Sequence, residues 1–377
     1  MVGINFSISM LYYDTNPNNL SHICYTKSLI LMKRTIYNFG IIILTFGLLS
    51  TTFVACSDDS KINNPIITQR ITELEQQSYR IGDPLSVAKD GLENITEIQI
   101  QIDGKPFENG AKIDEANVGL GKHNVLVQFL NGSEVKATRE FSILVFADQP
   151  AEEWTYSTIA THPHNPKDFT QGFYYKDGYI FEGTGLTGQS RLVKYKLGTT
   201  TEEKIGDVRK TVFGEGITEM NDVVYQLTWQ NRLIFAYDQD LKIIKEIPMP
   251  GEIREGWGIT TMHDQFVVTE GSQYIHFYDK DFKYIRSVQA VDDKQGYSNL
   301  NELEYHDGLL YINIYHQNFI IVVDPKNGAV KARLNLDEFK PQQNPESDVL
   351  NGIAFKGDHL LVTGKLWDKV YELKIIK

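Results

Sequence analysis

Gly214-Glu215-Gly216-Ile217 is one of five places where this chain opens a strand in the same way; the others are Thr170-Gln171-Gly172-Phe173, Gly256-Trp257-Gly258-Ile259, Leu300-Asn301-Glu302-Leu303 and Leu350-Asn351-Gly352-Ile353. From Gly172 to Gly216, Gly258, Glu302 and Gly352 the steps are 44, 42, 44 and 50 residues, the period of a propeller blade. Five residues after each comes a turn position, at Asp177, Asn221, His263, Asp307 and Gly357. An apolar run follows, such as Tyr179-Ile180-Phe181 or Phe266-Val267-Val268. Offsets that hold through five units predict an all-β chain with a five-bladed β-propeller over 151–377. Four units continue into a fourth strand and the last does not. The segment 154–161 is therefore expected to supply the missing strand and cover an otherwise open edge.

Upstream, 66–150 also reads as short strands. Ile98, Ile100 and Ile102 alternate, as do Val125, Val127 and Phe129, then Phe141, Ile143 and Val145. Asp103-Gly104 and Asn131-Gly132 supply hairpin turns. The pattern predicts a small immunoglobulin-like β-sandwich without a chemical constellation of its own.

A net charge of −12 over 377 residues argues against nucleic acid as a partner. Both cysteines, Cys24 and Cys56, precede these regions, so no disulfide staples the folded body. Met32-Lys33-Arg34, the apolar run 40–54 and Ala55-Cys56 resemble a lipoprotein signal over 32–56, with Cys56 as lipid anchor and 57–65 as tether. The remaining 1–31 fit no signal and read as an upstream extension, with Met32 as the true start. These features place the protein in the cell envelope of a Gram-negative bacterium, on the periplasmic face or at the cell surface, held to the membrane through its lipid.

Blades are arranged radially, so equivalent positions form a ring. The residues just before the five register positions are Gln171, Glu215, Trp257, Asn301 and Asn351: one acid, three amides and one indole. A purely structural repeat would carry small or apolar residues there. A second ring, ten to thirteen residues on, brings Glu182, Gln226, Thr228, Trp229, Glu270, Asn313, Tyr315, Thr363 and Lys365. An inward lysine is costly unless used or paired, which singles out Lys365. Glu215 reads either as a working acid or as a buried carboxylate on backbone amides, and the indoles either as pocket walls or as packing. His162 and His164 lack metal-ligand spacing and read as structural. Glu302 stands where the other four units have Gly. With Glu304 it is expected to support the channel, where a structural cation has a place.

The motifs Phe169-Thr170-Gln171-Gly172, Phe213-Gly214-Glu215-Gly216, Gln226-Leu227-Thr228-Trp229, Gly256-Trp257-Gly258, Leu300-Asn301-Glu302-Leu303-Glu304, Leu350-Asn351-Gly352-Ile353-Ala354 and Thr363-Gly364-Lys365-Leu366-Trp367 resemble, in order, those of the bacterial and plant glutamine cyclotransferases. The resemblance runs from about His164 to the C-terminal lysine. It implies a five-bladed propeller that converts the N-terminal glutamine of peptides and proteins to pyroglutamate with loss of ammonia, without a required cofactor. It implies Glu215 as the catalytic acid–base and Phe169, Gln171, Trp229, Trp257, Asn301, Tyr315, Asn351 and Lys365 as substrate-binding residues. Tyr315 departs from the usual tryptophan, and Thr269-Glu270-Gly271-Ser272 stands where Ser-Asp-Gly is usual; both point to altered peptide preference. The other readings are a non-catalytic envelope module that binds peptide or glycan, and a metal-dependent propeller hydrolase, for which the rings hold too few carboxylates. The sequence assigns no oligomeric state.

Overall fold

The computed structural model describes residues 64–206 and 208–377. The segment 1–31, the signal-like stretch 32–56 with both cysteines, and 57–63 of the tether lie outside the described residues.

The five units open on the strands Thr170–Lys176, Gly214–Met220, Gly258–Met262, Leu300–His306 and Leu350–Lys356. Each ends in a two-residue hairpin loop. The first loop residue is left-handed in every case, with φ of 51°, 52°, 56°, 47° and 58° at Asp177, Asn221, His263, Asp307 and Gly357. Such loops match the twist of the flanking strands, and Gly, Asn and Asp tolerate the conformation. One backbone requirement thus accounts for the constant offset in the sequence.

From each opening strand the chain builds outward through antiparallel pairs. Three four-stranded sheets follow in chain order, and the remaining strands form one eight-stranded sheet of two four-stranded halves. The halves meet at Glu152–Pro163, which pairs antiparallel with Lys369–Ile376 and parallel with Val330–Asn335. The segment expected to close the last unit does so, and it is longer than the sequence suggested because it also joins the neighbouring sheet. The opening strands pack against one another in order, and the fifth packs against the first. Glycine permits this approach. A Cβ on Gly258 would come within 2.4 Å of the Asn301 carbonyl, and one on Gly172 within 2.3 Å of the Ile217 nitrogen.

The predicted strands of the N-terminal region are present as Glu97–Ile102, Gly121–Asn131 and Glu134–Phe146, with both predicted hairpin turns. They do not build an immunoglobulin-like pair of facing sheets. Among the described residues this region holds a single five-stranded sheet, and a helix, Pro65–Gln76, packs on it. Ile67, Ile71 and Leu74 recur at helical spacing and are buried, the stripe a helix needs to cover a sheet face. The Asn64 side chain accepts from Ile66 N at 2.9 Å and Pro65 occupies the first turn, a start signal of the kind that fixes a helix boundary. Leu85, Val87, Leu92 and Ile95 complete the same core from a segment with no long strand. Helix and loop thus take the place of the second sheet.

The described residues form one compact unit. Val291 and Ala329, from the 151–377 region, enter the N-terminal core. The Gln289 side chain accepts from Lys122 N at 2.9 Å and donates to Lys122 O at 3.0 Å.

Candidate active site

At the start of the five opening strands lies a cleft of about 300 Å³, lined by Phe169, Gln171, Phe213, Glu215, Trp229, Glu255, Trp257, Asn301, Tyr315 and Lys365. All five units contribute. In four of them the ladder is irregular at this point: register breaks fall between Thr170 and Gly172, Gly214 and Ile217, Leu300 and Leu303, and Leu350 and Ile353. Gln171, Glu215, Asn301 and Asn351 sit in those intervals. Bulges of this kind re-aim a side chain out of the strand alternation, which is how residues of buried strands come to face a common space.

The structure brings together eight of the nine residues expected to act here. Asn351 does not line the cleft. It is fully buried beneath it and donates to Thr170 O at 3.0 Å and to Gln171 Oε1 at 3.3 Å. Gln171 in turn donates from Nε2 to Glu215 Oε1 at 3.2 Å. Asn351 therefore fixes which way the Gln171 amide points, and Gln171 fixes one oxygen of Glu215.

Glu215 is 5% exposed and Lys365 4%. Burial pushes the Glu215 carboxyl well above the usual carboxylate range, Lys365 pulls it back, and Glu255 adds to the rise. Burial likewise lowers the Lys365 ammonium, against the pull of Glu215 and Asp348. Desolvation disfavours the charged form of both groups. The Lys365 Nζ lies 4.8 Å from the centroid of the Phe169 ring and 5.1 Å from that of Tyr315, a cation–π arrangement that holds it over the cleft.

Two lining residues were missed as site residues in the sequence, Phe213 and Glu255. Phe213 meets Phe169 edge-on at 6.4 Å and Trp229 at 5.6 Å. Glu255 accepts from Trp229 Nε1 at 2.6 Å, from Trp257 Nε1 at 3.1 Å and from Gln230 Nε2 at 2.8 Å. Those three bonds hold its pKa below the usual value against the cost of burial. A readable signal existed: Phe169, Phe213 and Glu255 each stand two places before the ring residue of their unit. Most of the second ring turns away from the cleft. Gln226 accepts from Tyr237, Asn313 from Gly352 N, and Thr228 and Thr363 bond backbone carbonyls. Only Trp229, Tyr315 and Lys365 of that ring line the cleft.

Glu182 belongs to a different cluster beside the site. It accepts from His164 at 3.1 Å, Thr170 at 2.7 Å and Tyr195 at 2.9 Å. His164, Asp168 and Glu182 each place one potential metal-ligand atom within 4.8 Å of the others. All three already have protein partners, since His164 Nδ1 bonds Trp367 O at 2.7 Å and Arg191 bonds Asp168. The positive charge in this cluster is supplied by imidazolium and guanidinium. The expectation that His164 is structural agrees with this geometry, and His162 bonds Glu372 at 2.9 Å.

A family model described as glutamine cyclotransferase matches residues 126–375. The glutaminyl-peptide cyclotransferase of Arabidopsis thaliana is 31% identical over 226 residues, spanning 58% of this chain and 70% of that protein. The crystal structure of Myxococcus xanthus glutaminyl cyclase matches with a TM-score of 0.55 at 27% identity, covering 60% of this chain and 98% of its own. The family match takes in more than half of the chain and every residue of the cleft, and by it the chain belongs to the glutamine cyclotransferase family.

Proposed function

We infer that the protein is a metal-independent glutaminyl-peptide cyclotransferase, an acyltransferase that releases ammonia as it converts an N-terminal glutamine to pyroglutamate. The observation that carries this is a buried acid held by an oriented amide, facing a buried lysine between aromatic walls. In the reaction the substrate's own α-amine attacks its γ-carboxamide carbon. A new C–N bond forms, the carbonyl oxygen becomes an oxyanion, and the bond to the amide nitrogen breaks. The nucleophile arrives with the substrate, so no Ser, Cys or metal-bound hydroxide is needed. Glu215 takes the proton the amine loses and returns it to the departing nitrogen. Lys365 and Asn301 donate toward the oxyanion. Trp229, Trp257, Phe169 and Tyr315 exclude water and fold the glutamine side chain back on its amine.

The three four-stranded sheets and the two halves of the eight-stranded sheet are, in this reading, the five blades of a propeller over 151–377, with the N-terminal sheet and helix packed on it as an added module and Cys56 as the lipid anchor in the cell envelope. The cyclic packing of the opening strands supports the propeller. A structural cation in the channel draws support from Glu302, whose Oε2 is buried with no partner among the described residues.

The test is ammonia release from a glutaminyl dipeptide, with and without a chelator; equal turnover in both is expected. Lys365→Met adds a pH readout. The ionised form of Glu215 accepts the amine proton, so kcat/KM falls on the acid side as the pH drops through its raised pKa. Removing the Lys365 charge raises that pKa further, and the acid limb is expected to move to higher pH. A limb that stays in place would separate Lys365 from Glu215.

A further inference from the structure

We propose that a second cleft, between the N-terminal sheet and the third four-stranded sheet, binds the downstream residues of the peptide whose glutamine occupies the Glu215 site, and favours acidic side chains there; this rests on the cyclase reading. The cleft measures about 390 Å³, and its lining includes Asp103, Lys105, Glu115, His123, Gln289 and Lys326.

Its distance from the active site follows from strand register. Gly258, next to Trp257, pairs with Thr269, Thr269 with Ile275, and Ile275 with Val288, which lines the second cleft. Three steps of about 4.8 Å span roughly 14 Å. An extended peptide covers about 3.3 Å per residue. A glutaminyl peptide running outward along this sheet therefore reaches the cleft about four to six residues after its glutamine, while a dipeptide never does.

The chemistry of the lining selects the class of residue. Both oxygens of Asp103 are taken, one by His123 Nδ1 at 2.8 Å and one by Asn124 N at 2.9 Å. Glu115 accepts from Asn327 at 2.8 Å. The ammonium groups of Lys105 and Lys326 have no carboxylate partner among the described residues. His123 donates from Nδ1 to Asp103, so the buried Nε2 of the neutral ring offers a lone pair and no proton. The donors an incoming carboxylate finds are the ammonium groups of Lys105 and Lys326.

The experiment compares kcat/KM for a glutaminyl dipeptide and for two octapeptides that begin with glutamine and carry either Glu or Lys at positions five to seven. At low salt the wild-type protein is expected to prefer the acidic octapeptide over the basic one by about fivefold, the scale of two exposed charge pairs. High salt should abolish the preference. In the double variant Lys105→Glu, Lys326→Glu the preference should vanish or invert while dipeptide turnover stays at the wild-type level, which also reports an intact fold. Equal wild-type kcat/KM for the two octapeptides, or a preference that survives in the double variant, would overturn the second cleft alone. No turnover of any peptide, dipeptide included, would overturn the cyclase reading and the cleft proposal with it.

Discussion

Glu215→Gln is expected to lower kcat by about 10²–10⁴, the range that a positioned general acid–base contributes, with KM little changed. The substitution keeps shape and keeps an oxygen to accept from Gln171 Nε2, now 3.2 Å from Glu215 Oε1. It removes only the exchangeable proton, so substrate still binds while the amine has no acceptor and the leaving nitrogen no donor. Stability should hold or rise. The folded-state pKa of Glu215 lies well above 4.5, raised chiefly by burial. Above the unfolded pKa the unfolded chain therefore gives up this proton more readily than the folded chain, and folding is penalised as the pH rises. An amide carries no such penalty. Ammonia release and calorimetry on the same preparation check both halves. A variant that keeps kcat within about tenfold while melting normally would place the proton transfer elsewhere.

Much of this site could be read from the repeat, and the exceptions have physical causes. Gln171, Glu215, Trp257 and Asn301 were identified as the variable position of a fixed pattern, and they line the cleft. Asn351 occupies the same position but points its amide at the Thr170 carbonyl, because a ring position fixes where a strand starts and not which way a bulged side chain turns. Glu255 is hard to read from the repeat because two of its three partners, Trp229 and Gln230, come from another unit. In the N-terminal region, alternation at 98–102 and 125–129 revealed the strands, but nothing in it said what would cover their buried face. The Ile67, Ile71 and Leu74 stripe holds that information, but three apolar residues at helical spacing are a short signal beside the long alternating strands that follow.

His164→Ala should be the most destabilising of these substitutions, by about 3–5 kcal/mol, the cost of breaking a buried ion pair and leaving one charge uncompensated. The His164 and Glu182 side chains are both 0% exposed. The pair also joins the two halves of the active site. Glu182 holds Thr170, which lies between Phe169 and Gln171, while His164 Nδ1 holds Trp367 O, two residues beyond Lys365. The milder His164→Gln isolates the charge. The His164 imidazole is pushed from 6.5 to about 9, because Glu182 outweighs burial. Below pH 6.5 it is protonated in both folded and unfolded chains, and its stabilisation is complete. As the pH rises from 6.5 to about 9, only the folded chain holds the proton, and stability falls by an amount on the order of 3 kcal/mol. Asp168, raised from 3.8 to about 7 by burial and Glu182, also loses stability with rising pH, but at lower pH than this window. Glu182, lowered below 4.5, acts on the acid side, where its contribution is lost as the pH falls. Glu304, raised from 4.5 to about 8 by burial, contributes to the fall in both proteins, so a drop in Tm between pH 7 and 9 that is clearly larger in the wild-type protein than in His164→Gln identifies the imidazolium. A positioning role adds a second signature, since Lys365 and Gln171 would then be held less well for catalysis: kcat for a dipeptide should fall in His164→Gln at pH 7 and 25 °C, where the fold is intact. Wild-type kcat together with a flattened Tm profile would leave the pair with a purely structural task.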